Sequence, residues 1–302
     1  MADIIRPRRS MLYMPGSNAR ALEKARTLAA DALIFDLEDA VAPDAKALAR
    51  DQVAATLAAG GYGERELLVR VNGLDTDWAA ADLAAVATSG ADGVLLPKVD
   101  SAAMVQEAES RLGAAGAPEG LALWCMLETP RGVLNVAEIA AASPHLAGFV
   151  MGTNDLAIEL NCRQVPDRQP FMTSFGLCIL AARAEGLAII DGVFTDLSDD
   201  DGFAAECRQG LALGFDGKSL IHPKTIAAAN EIFGPSDSDV AWAEKIIAAY
   251  EDAQAGGRAV IVVDGRMIED LHVRSARRQV AMAVRIAALA ADAKAAAAGN
   301  RD

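Results

Sequence analysis

Short apolar runs recur along the chain, and each is followed by an Ala-rich stretch with helical spacing. Eight runs stand out: Met11–Met14, Ala32–Asp36, Leu67–Val71, Gly93–Pro97, Leu121–Leu127, Gly148–Met151, Ala188–Asp191 and Phe215–Leu220. Each is short and continuously apolar, which is typical of a parallel strand buried on both faces. Eight strand–helix pairs over about 230 residues predict an α/β fold of the (β/α)₈ TIM-barrel type.

An open, doubly wound sheet is the alternative arrangement for alternating strands and helices. Such a sheet usually carries a GxGxxG fingerprint after its first strand. The corresponding position in this chain reads MPGSNAR, which lacks that pattern. The barrel is therefore the favoured prediction.

The pattern changes after about residue 235, where GPSDSD marks a break and offers Ser236 or Asp237 as a helix N-cap. A helix is expected to about residue 255, and Ala259–Ile268 reads as two short strands around the turn pair Asp264–Gly265. A final helix follows to about residue 298. We therefore predict a barrel over residues 1–235 and a helix–hairpin–helix appendage over residues 236–302.

Composition limits the classes of function. The 302 residues include 42 acidic and 28 Lys or Arg side chains, a net charge of −14. Nucleic acids and anionic membranes repel such a chain at long range, although a local basic patch can still hold one small anion. The sequence shows no signal peptide, no apolar run of membrane-spanning length and no CxxC pair among its four cysteines. A cytoplasmic protein is the expectation.

Polar residues follow the apolar runs, at the strand ends where (β/α)₈ barrels place their active sites. We expect these side chains to converge on one barrel mouth, although any single charge at a strand end can simply be solvated. In chain order they are Asp36, Glu38, Asp39, Arg70, Asn72, Lys98, Glu128, Asp155, Asp191, Lys218 and His222.

Glu128 and Asp155 end consecutive strands, so their carboxylates can approach each other. Two carboxylates suit Mg²⁺, or Mn²⁺, because such a hard cation takes one or two of them and fills its other positions with water and substrate oxygens. An acid/base pair without metal is the competing interpretation. Position alone favours the metal and leaves the second interpretation open.

Arg70 lies within the apolar run LLVRVNG, and a buried arginine is rare unless it is paired. One interpretation is a structural ion pair with Glu38 or Asp39. The other is that Arg70 stabilises a developing oxyanion. The two roles are compatible.

The first loop is the best candidate for holding an anion. PGS precedes a helix with Arg20 and Lys24 on one face. An ordinary solvated helix face is the simpler interpretation. His222 is expected to be a core or capping histidine, and the absence of GxSxG disfavours a serine hydrolase.

These residues also match a family pattern. The sequence resembles the HpcH/HpaI aldolase and citrate lyase β-subunit family over nearly its whole length. The motifs that carry this resemblance are SMLYMPGS, FDLEDAVAPDAK, LLVRVNG, LLPKV, MLETPRG, MGTNDLA, GFDGKSLIHPKT and VDGRMIEDLHV. The resemblance implies a (β/α)₈ barrel whose C-terminal extension covers the active site of a neighbouring subunit, in a homotrimer or homohexamer.

The resemblance also implies roles for individual residues. Glu128 and Asp155 fall on the Mg²⁺ ligands, and Arg70 falls on the arginine that contacts the substrate carbonyl. Tyr13, Arg20 and Lys24 lie in the region that contacts coenzyme A, where Asn18 replaces a basic residue of the family's malyl-CoA lyases. Glu38 and Asp39 support Arg70.

The hairpin departs from the family pattern. Family lyases place a catalytic Asp in G-x-M-I-D, whereas this chain has Glu269 there, followed by Asp270. A shift of about 1 Å can cost on the order of 100-fold in a geometrically demanding step. The longer acid favours hydrolysis over carbon–carbon cleavage, with Glu269 as the base and Asp270 as its alternative if the register is one residue off.

The resemblance thus implies an Mg²⁺-dependent enzyme acting on a β-hydroxyacyl-CoA dicarboxylate, with hydrolysis of (3S)-malyl-CoA to malate and coenzyme A favoured. A CoA-ester lyase that cleaves malyl-, citramalyl- or citryl-CoA is the first alternative. A partner-dependent subunit working on an acyl-carrier protein is the second. A CoA-independent pyruvate aldolase is less consistent with the long appendage.

Overall fold

The fold is a closed barrel of eight parallel strands, as the computed structural model shows for residues 5–255 and 259–299. Each strand pairs with its neighbours in sequence, and the first closes on the last. The strands are β1 (Ser10–Pro15), β2 (Ala32–Asp36), β3 (Glu66–Arg70), β4 (Gly93–Leu96), β5 (Ala122–Leu127), β6 (Leu146–Met151), β7 (Ala188–Asp191) and β8 (Gly217–Leu220). All eight apolar runs became strands, so the predicted fold class is confirmed.

Continuous burial explains why the strand sequences show no alternation. In β2, Ala32 and Ile34 point into the barrel and pack with Met11, Leu68 and Trp124 from other strands. The intervening Leu33 and Phe35 point outward into the layer between strands and helices. Both faces are apolar because neither meets water.

Helices connect the strands and surround the barrel. They are α1 (Ala19–Ala25), α2 (Lys46–Ala59), α3 (Ala79–Ala87), α4 (Ala102–Ala114), α5 (Pro130–Leu134), α6 (Val136–Ala140), α7 (Thr153–Glu159), α8 (Met172–Ala184), α9 (Asp200–Leu213) and α10 (Ile226–Phe233). Short 3₁₀ turns span Pro43–Ala45, Gln169–Phe171 and Pro223–Thr225. His222 caps the last of these, because its Nδ1 accepts from the Lys224 N–H at 3.1 Å.

The C-terminal region forms a helix, a hairpin and a second helix: α11 (Asp237–Ala255), β9 (Ile261–Val263), β10 (Arg266–Ile268) and α12 (Asp270–Gly299). Its own small apolar core includes Ile246, Tyr250 and Val273. The hairpin turns at Asp264 and Gly265, both with positive φ of 48° and 77°, as a two-residue hairpin turn requires. Residues 1–4 and 300–302, at the outer ends of the two predicted units, lie outside the described part of the chain.

Helix α12 runs across the N-terminal end of the barrel, opposite the mouth. Its Arg278 and Met282 line a cavity together with Arg8, Ala147 and Ala188 at the bottoms of the strands. The appendage thus approaches the end of the barrel where (β/α)₈ enzymes do not place their chemistry. Within the described residues, no helix is both long and apolar enough to span a membrane.

Candidate active site

A cavity of about 410 Å³ opens at the C-terminal ends of the strands. Seven of the eight strands, or the loops directly after them, contribute to its wall. The lining residues are Tyr13, Pro15, Asp36, Asp39, Ala40, Arg70, Met126, Glu128, Met151, Gly152, Thr153, Asn154, Asp155, Val193, Ser219 and Ile221. The expected convergence at the mouth therefore holds for Asp36, Asp39, Arg70, Glu128 and Asp155.

Arg70 is held at the cavity wall by carboxylates and an aromatic ring. Its Nε and Nη2 donate to the two oxygens of Asp36 at 2.7 and 2.6 Å. Its Nη1 lies 2.9 Å from Glu38 Oε2 and 3.4 Å from Asp39 Oδ2, and the guanidinium stands 4.9 Å from the centre of the Tyr13 ring. These charges raise the pKa of Arg70 despite its burial, so the site keeps a fixed cation.

The main partner of Arg70 is Asp36, which differs from the expected pairing with Glu38 or Asp39 alone. Asp36 and Arg70 are register partners on adjacent strands, so their side chains leave the sheet side by side. Asp36 also accepts from the backbone N–H groups of Glu38 and Ala40 at 2.9 and 3.1 Å. One buried carboxylate thus fixes both the arginine and the loop that carries Glu38 and Asp39.

Glu38 is a nearly buried acid beside this cation. Burial raises its pKa to about 7, against the lowering effect of Arg70, and Asp39 and Asp36 raise it further. Lys46 steadies the loop by donating to the carbonyls of Leu37 and Glu38 at 2.9 and 2.7 Å. Glu38 thus lies in contact with the Arg70 guanidinium.

Glu128 is a deeply buried acid of the cavity wall, 1% exposed. Its Oε1 accepts from the Lys98 backbone N–H at 2.8 Å, and its Oε2 has no protein donor within the described residues. Burial raises its pKa to about 8, and the nearby charges of Glu38 and Asp155 contribute to this rise. A carboxylate in such a place is stabilised by a cation.

Asp155 lies in the first turn of α7 and faces the same cavity, partly exposed. No group of three or more potential metal-binding acids, His or Cys occurs in the described part of the chain. Two carboxylates on one cavity, one with an oxygen left without a donor, still fit Mg²⁺, because Mg²⁺ usually keeps several waters. The donor set is all oxygen, as this ion prefers.

Tyr13 contributes the ring that covers Arg70 and a hydroxyl directed at Met126. The hydroxyl lies 3.7 Å from Met126 Sδ. Burial raises the pKa of Tyr13 well above its ordinary value, with Arg70 opposing this. Tyr13 is thus a neutral wall of the cavity.

Two predicted members of the mouth, Asp191 and Lys218, point the other way. Lys218 Nζ donates to Glu206 at 2.6 Å and lies 3.2 Å from Asp191 Oδ2, behind the barrel wall. Arg168 Nη1 reaches both oxygens of Asp191, at 2.7 and 2.8 Å. The expectation was wrong because strand side chains alternate, and Ser219 holds the inward position next to Lys218.

Lys98 and Asn72 also differ in role from the other residues at the strand ends. Asn72 is buried and bonds to Leu37 and Asp82 of the scaffold. Lys98 is exposed, and its backbone N–H bonds to Glu128. Desolvation lowers the pKa of its ammonium, but the nearby carboxylates of Glu38, Asp155 and Glu128 outweigh this and raise it.

Arg20 and Lys24 lie on the exposed side of α1 and do not line the cavity. Asn18 caps that helix by accepting from the Ala21 N–H at 3.1 Å. The two cations therefore lie outside the cavity wall, at the surface beyond β1.

Glu269 and Asp270 do not line this chain's own cavity. They stand where β10 passes into α12, and the Glu269 N–H donates to His272 Nδ1 at 3.1 Å. Asp270 pairs with Arg274 at 2.9 Å, whereas no cation contacts the Glu269 carboxylate among the residues described. Glu269 is therefore the less engaged of the two acids.

The sequence analysis did not select several wall residues: Met126, Met151, Gly152 and Ser219. Counting by twos back from Glu128 would have found Met126, and counting from Ile221 would have found Ser219. Apolar and small residues carry no chemical signal of their own, so only this alternation marks them.

The fold and this cavity define a class: a (β/α)₈ barrel whose mouth combines a fixed arginine with two carboxylates that fit a divalent cation. A family model described as HpcH/HpaI aldolase/citrate lyase matches residues 9–223. The chain belongs to this family, and the predicted resemblance is confirmed.

Related proteins and solved structures agree with this assignment. A (3S)-malyl-CoA thioesterase of Cereibacter sphaeroides is 53% identical over 291 residues, which cover 96% of this chain and 100% of the relative. A citrate lyase subunit beta of Leuconostoc mesenteroides is 38% identical over 92% of this chain and 94% of its own length. The solved structure of the protein CitE from Mycobacterium tuberculosis, in complex with magnesium, acetoacetate and coenzyme A, matches with a TM-score of 0.72 and 32% identity, over 91% of this chain and 97% of that chain.

Proposed function

We propose that this protein is an Mg²⁺-dependent thioesterase that hydrolyses (3S)-malyl-CoA, a β-hydroxyacyl-CoA dicarboxylate, to malate and coenzyme A. The observation that carries the proposal is the 53% identity, over the full length of the relative, to a (3S)-malyl-CoA thioesterase. The chain keeps an arginine and two carboxylates on one cavity, as such chemistry requires. An enzyme is therefore a better description than an inactive scaffold.

Glu128 and Asp155 would hold the cation, with Mn²⁺ as a possible substitute for Mg²⁺. When bound, the cation supplies positive charge that orients substrate oxygens and polarises them. Arg70 Nη1 is not bonded to Asp36 and has weaker-held contacts at the cavity wall, 2.9 Å from Glu38 Oε2 and 3.4 Å from Asp39 Oδ2. That group can donate to the thioester carbonyl oxygen as negative charge develops on it.

Hydrolysis also needs a base that activates water. We propose Glu269 for this role, with Asp270 as the alternative, because the Asp270 carboxylate is already paired with Arg274. Glu269 would take a proton from water while the water oxygen bonds to the thioester carbon. The carbon–sulfur bond then breaks, and the proton passes to the departing thiolate of coenzyme A.

The base must come from a neighbouring copy. Arg278 and Met282 of α12 lie at the N-terminal end of their own barrel, and Glu269 does not line its own cavity. We propose a homotrimer or homohexamer in which the appendage, residues 236–302, covers the mouth of the next barrel, residues 1–235. The cytoplasmic location stays a prediction.

The adenosine part of coenzyme A carries phosphates and needs cations on a chain of charge −14. We propose that it approaches along β1, where Arg20 and Lys24 are exposed and Tyr13 enters the cavity wall. Replacement of Arg20 and Lys24 by Gln should raise KM for malyl-CoA and leave kcat nearly unchanged.

One assay tests the activity. Purified protein is incubated with (3S)-malyl-CoA and Mg²⁺, and free thiol, glyoxylate and acetyl-CoA are measured over time. Thiol without glyoxylate supports hydrolysis, whereas glyoxylate with acetyl-CoA contradicts it and supports the lyase. Chelation of the metal should abolish either product.

A CoA-ester lyase is the second candidate, favoured by the 38% identity to a citrate lyase subunit beta. The same base would take the proton of the substrate hydroxyl, and the carbon–carbon bond would break to give an aldehyde or ketone and an enolate next to Arg70. Citryl-CoA and citramalyl-CoA belong in the same assay. Activity only on an acyl-carrier-protein ester would instead identify a partner-dependent subunit.

A further inference from the structure

The side chain of Glu128 is enclosed by two backbone segments that have no role in the proposed reaction. Lys98, after β4, contacts one side through its N–H. Gly152, after β6, packs against the other side. Lys98 has an unusual backbone conformation, and position 152 has no space for a side chain. Contact with Glu128 explains both features.

Lys98 adopts a left-handed backbone conformation, with φ of +50°. A residue with a side chain adopts it only at a cost in free energy, and β-branched residues adopt it least readily. Here it turns the N–H onto Glu128 Oε1 at 2.8 Å. The next residue, Val99, continues the contact with β5, because its N–H lies 3.4 Å from the carbonyl of Met126. The strained backbone is thus fixed against the strand that carries Glu128.

Gly152 has φ of −100°, which any residue can adopt. Lack of space, not backbone conformation, requires glycine at this position. A Cβ would overlap Oε2 and Cβ of Glu128 and would stand 3.1 Å from its Cδ. The Gly152 N–H bonds to the Leu127 carbonyl at 3.1 Å, so its backbone cannot withdraw from β5. Three residues further on, Asp155 presents the second carboxylate to the cavity.

We propose that Lys98 and Gly152 are positioning residues that fix Glu128, with Oε1 held by an N–H and Oε2 left for the divalent cation. The proposal rests on the metal site proposed above. Gly152 also ties the two ligands together, because it packs on Glu128 and starts the helix that carries Asp155. Ligands fixed in this way need little rearrangement when the cation binds.

The test measures Mg²⁺ binding by calorimetry without substrate, so its outcome is separate from that of the activity assay. Gly152→Ala should weaken Mg²⁺ binding by about 10- to 100-fold. Gly176→Ala is the matched control, because its Cβ would meet nothing within 4 Å, and it should bind Mg²⁺ as the wild type does. Equal affinity of Gly152→Ala and wild type would overturn the role of Gly152.

A second pair of variants tests Lys98 even where Gly152→Ala fails to fold. Lys98→Gly and Lys98→Val both remove the ammonium group, but only glycine accepts the left-handed backbone without strain. Lys98→Gly should keep Mg²⁺ affinity within about threefold, and Lys98→Val should lose about tenfold. Equal losses in both variants would overturn the backbone role and assign the effect to the side chain.

Discussion

Two clusters of charges lie in the barrel, buried or partly buried except for the exposed Asp39, and they are built on different principles. The mouth cluster consists of Arg70, Asp36, Glu38 and Asp39, with one cation against three acids, and it borders the cavity. The wall cluster consists of Arg168, Lys218, Asp191 and Glu206, with two cations against two acids. Its Asp191 and Lys218 are 0% exposed.

The difference separates structure from function. A buried charge is tolerated when partners of opposite sign surround it. The wall cluster meets this condition by itself, so it needs no ligand. The mouth cluster has an excess of acid. Burial, reinforced by the neighbouring carboxylates, raises the pKa of Glu38 to about 7 and that of Glu128 to about 8. Acids held in this way are typical of a functional site.

The largest effect should follow from neutralising the proposed metal ligand. Glu128→Gln keeps the shape of the side chain and removes its charge. We expect activity on malyl-CoA to fall by roughly 1,000-fold or more, about 4 kcal/mol of transition-state stabilisation. Mg²⁺ should no longer raise the melting temperature, which differential scanning calorimetry measures.

The metal-free stability of Glu128→Gln is the control. Because burial disfavours the charged form of Glu128, the neutral amide should leave the metal-free melting temperature equal to or above that of the wild type. A variant that keeps both activity and the response to Mg²⁺ would contradict the assignment of Glu128.

The wall cluster should respond in the opposite way. Lys218→Met leaves Asp191 and Glu206 with Arg168 alone, and breaking such a buried pair destabilises by about 3–5 kcal/mol. Urea denaturation measures the loss of stability and identifies a temperature at which the variant is folded. At that temperature, activity per folded molecule should stay within about threefold of wild type. Lost activity with unchanged stability would place Lys218 in the mouth after all.

Much of the fold could be predicted from the sequence because buried parallel strands leave a distinctive apolar signature. The eight runs, the hairpin at Asp264–Gly265 and the helix start near Ser236 all appear in the structure. The helix expected after PGS also appears, and it ends at Ala25. Chain order alone brought Glu128, Asp155 and Arg70 to one mouth, because parallel strands end on the same side.

The direction of the side chains could not be predicted in the same way. A run that is apolar on both faces hides its alternation, so the sequence did not show that Asp191 and Lys218 face outward. The pairing of Arg70 with Asp36 depends on strand register, which only the closed barrel defines. The left-handed backbone of Lys98 leaves no trace in residue type.

A smaller effect should follow from loosening Arg70 without removing it. Asp36→Asn removes the negative charge and one acceptor from the bidentate pair, so the guanidinium gains freedom beside the cavity. We expect kcat to fall by about 10- to 100-fold with little change in KM. Steady-state kinetics with malyl-CoA measure this split.

Asp31→Asn is a closely matched control for that variant. Asp31 holds Arg9 with a similar pair of contacts, both at 2.8 Å, but at the N-terminal end of the barrel. It should lower stability and leave kcat unchanged. If both variants lower kcat equally, the loss reflects general loosening of the barrel and not the orientation of Arg70.

The smallest expected effect is a pH dependence of Mg²⁺ binding, which should involve the mouth cluster and not the wall cluster. Because burial raises the pKa of Glu128 to about 8, the metal-free fold loses stability as pH rises from the ordinary range of a carboxyl group through 8. Below pH 8, Mg²⁺ must displace a proton from Glu128. The Mg²⁺ affinity should therefore fall by about tenfold for each unit by which the pH is lowered. The rise in melting temperature at a fixed Mg²⁺ concentration should therefore be larger by a few degrees at pH 8.5 than at pH 6.5. Lys218→Met should keep this dependence, because the wall cluster takes no part in it, and Glu128→Gln should abolish it. An equal rise at both pH values would show that Glu128 is already ionised before the cation binds.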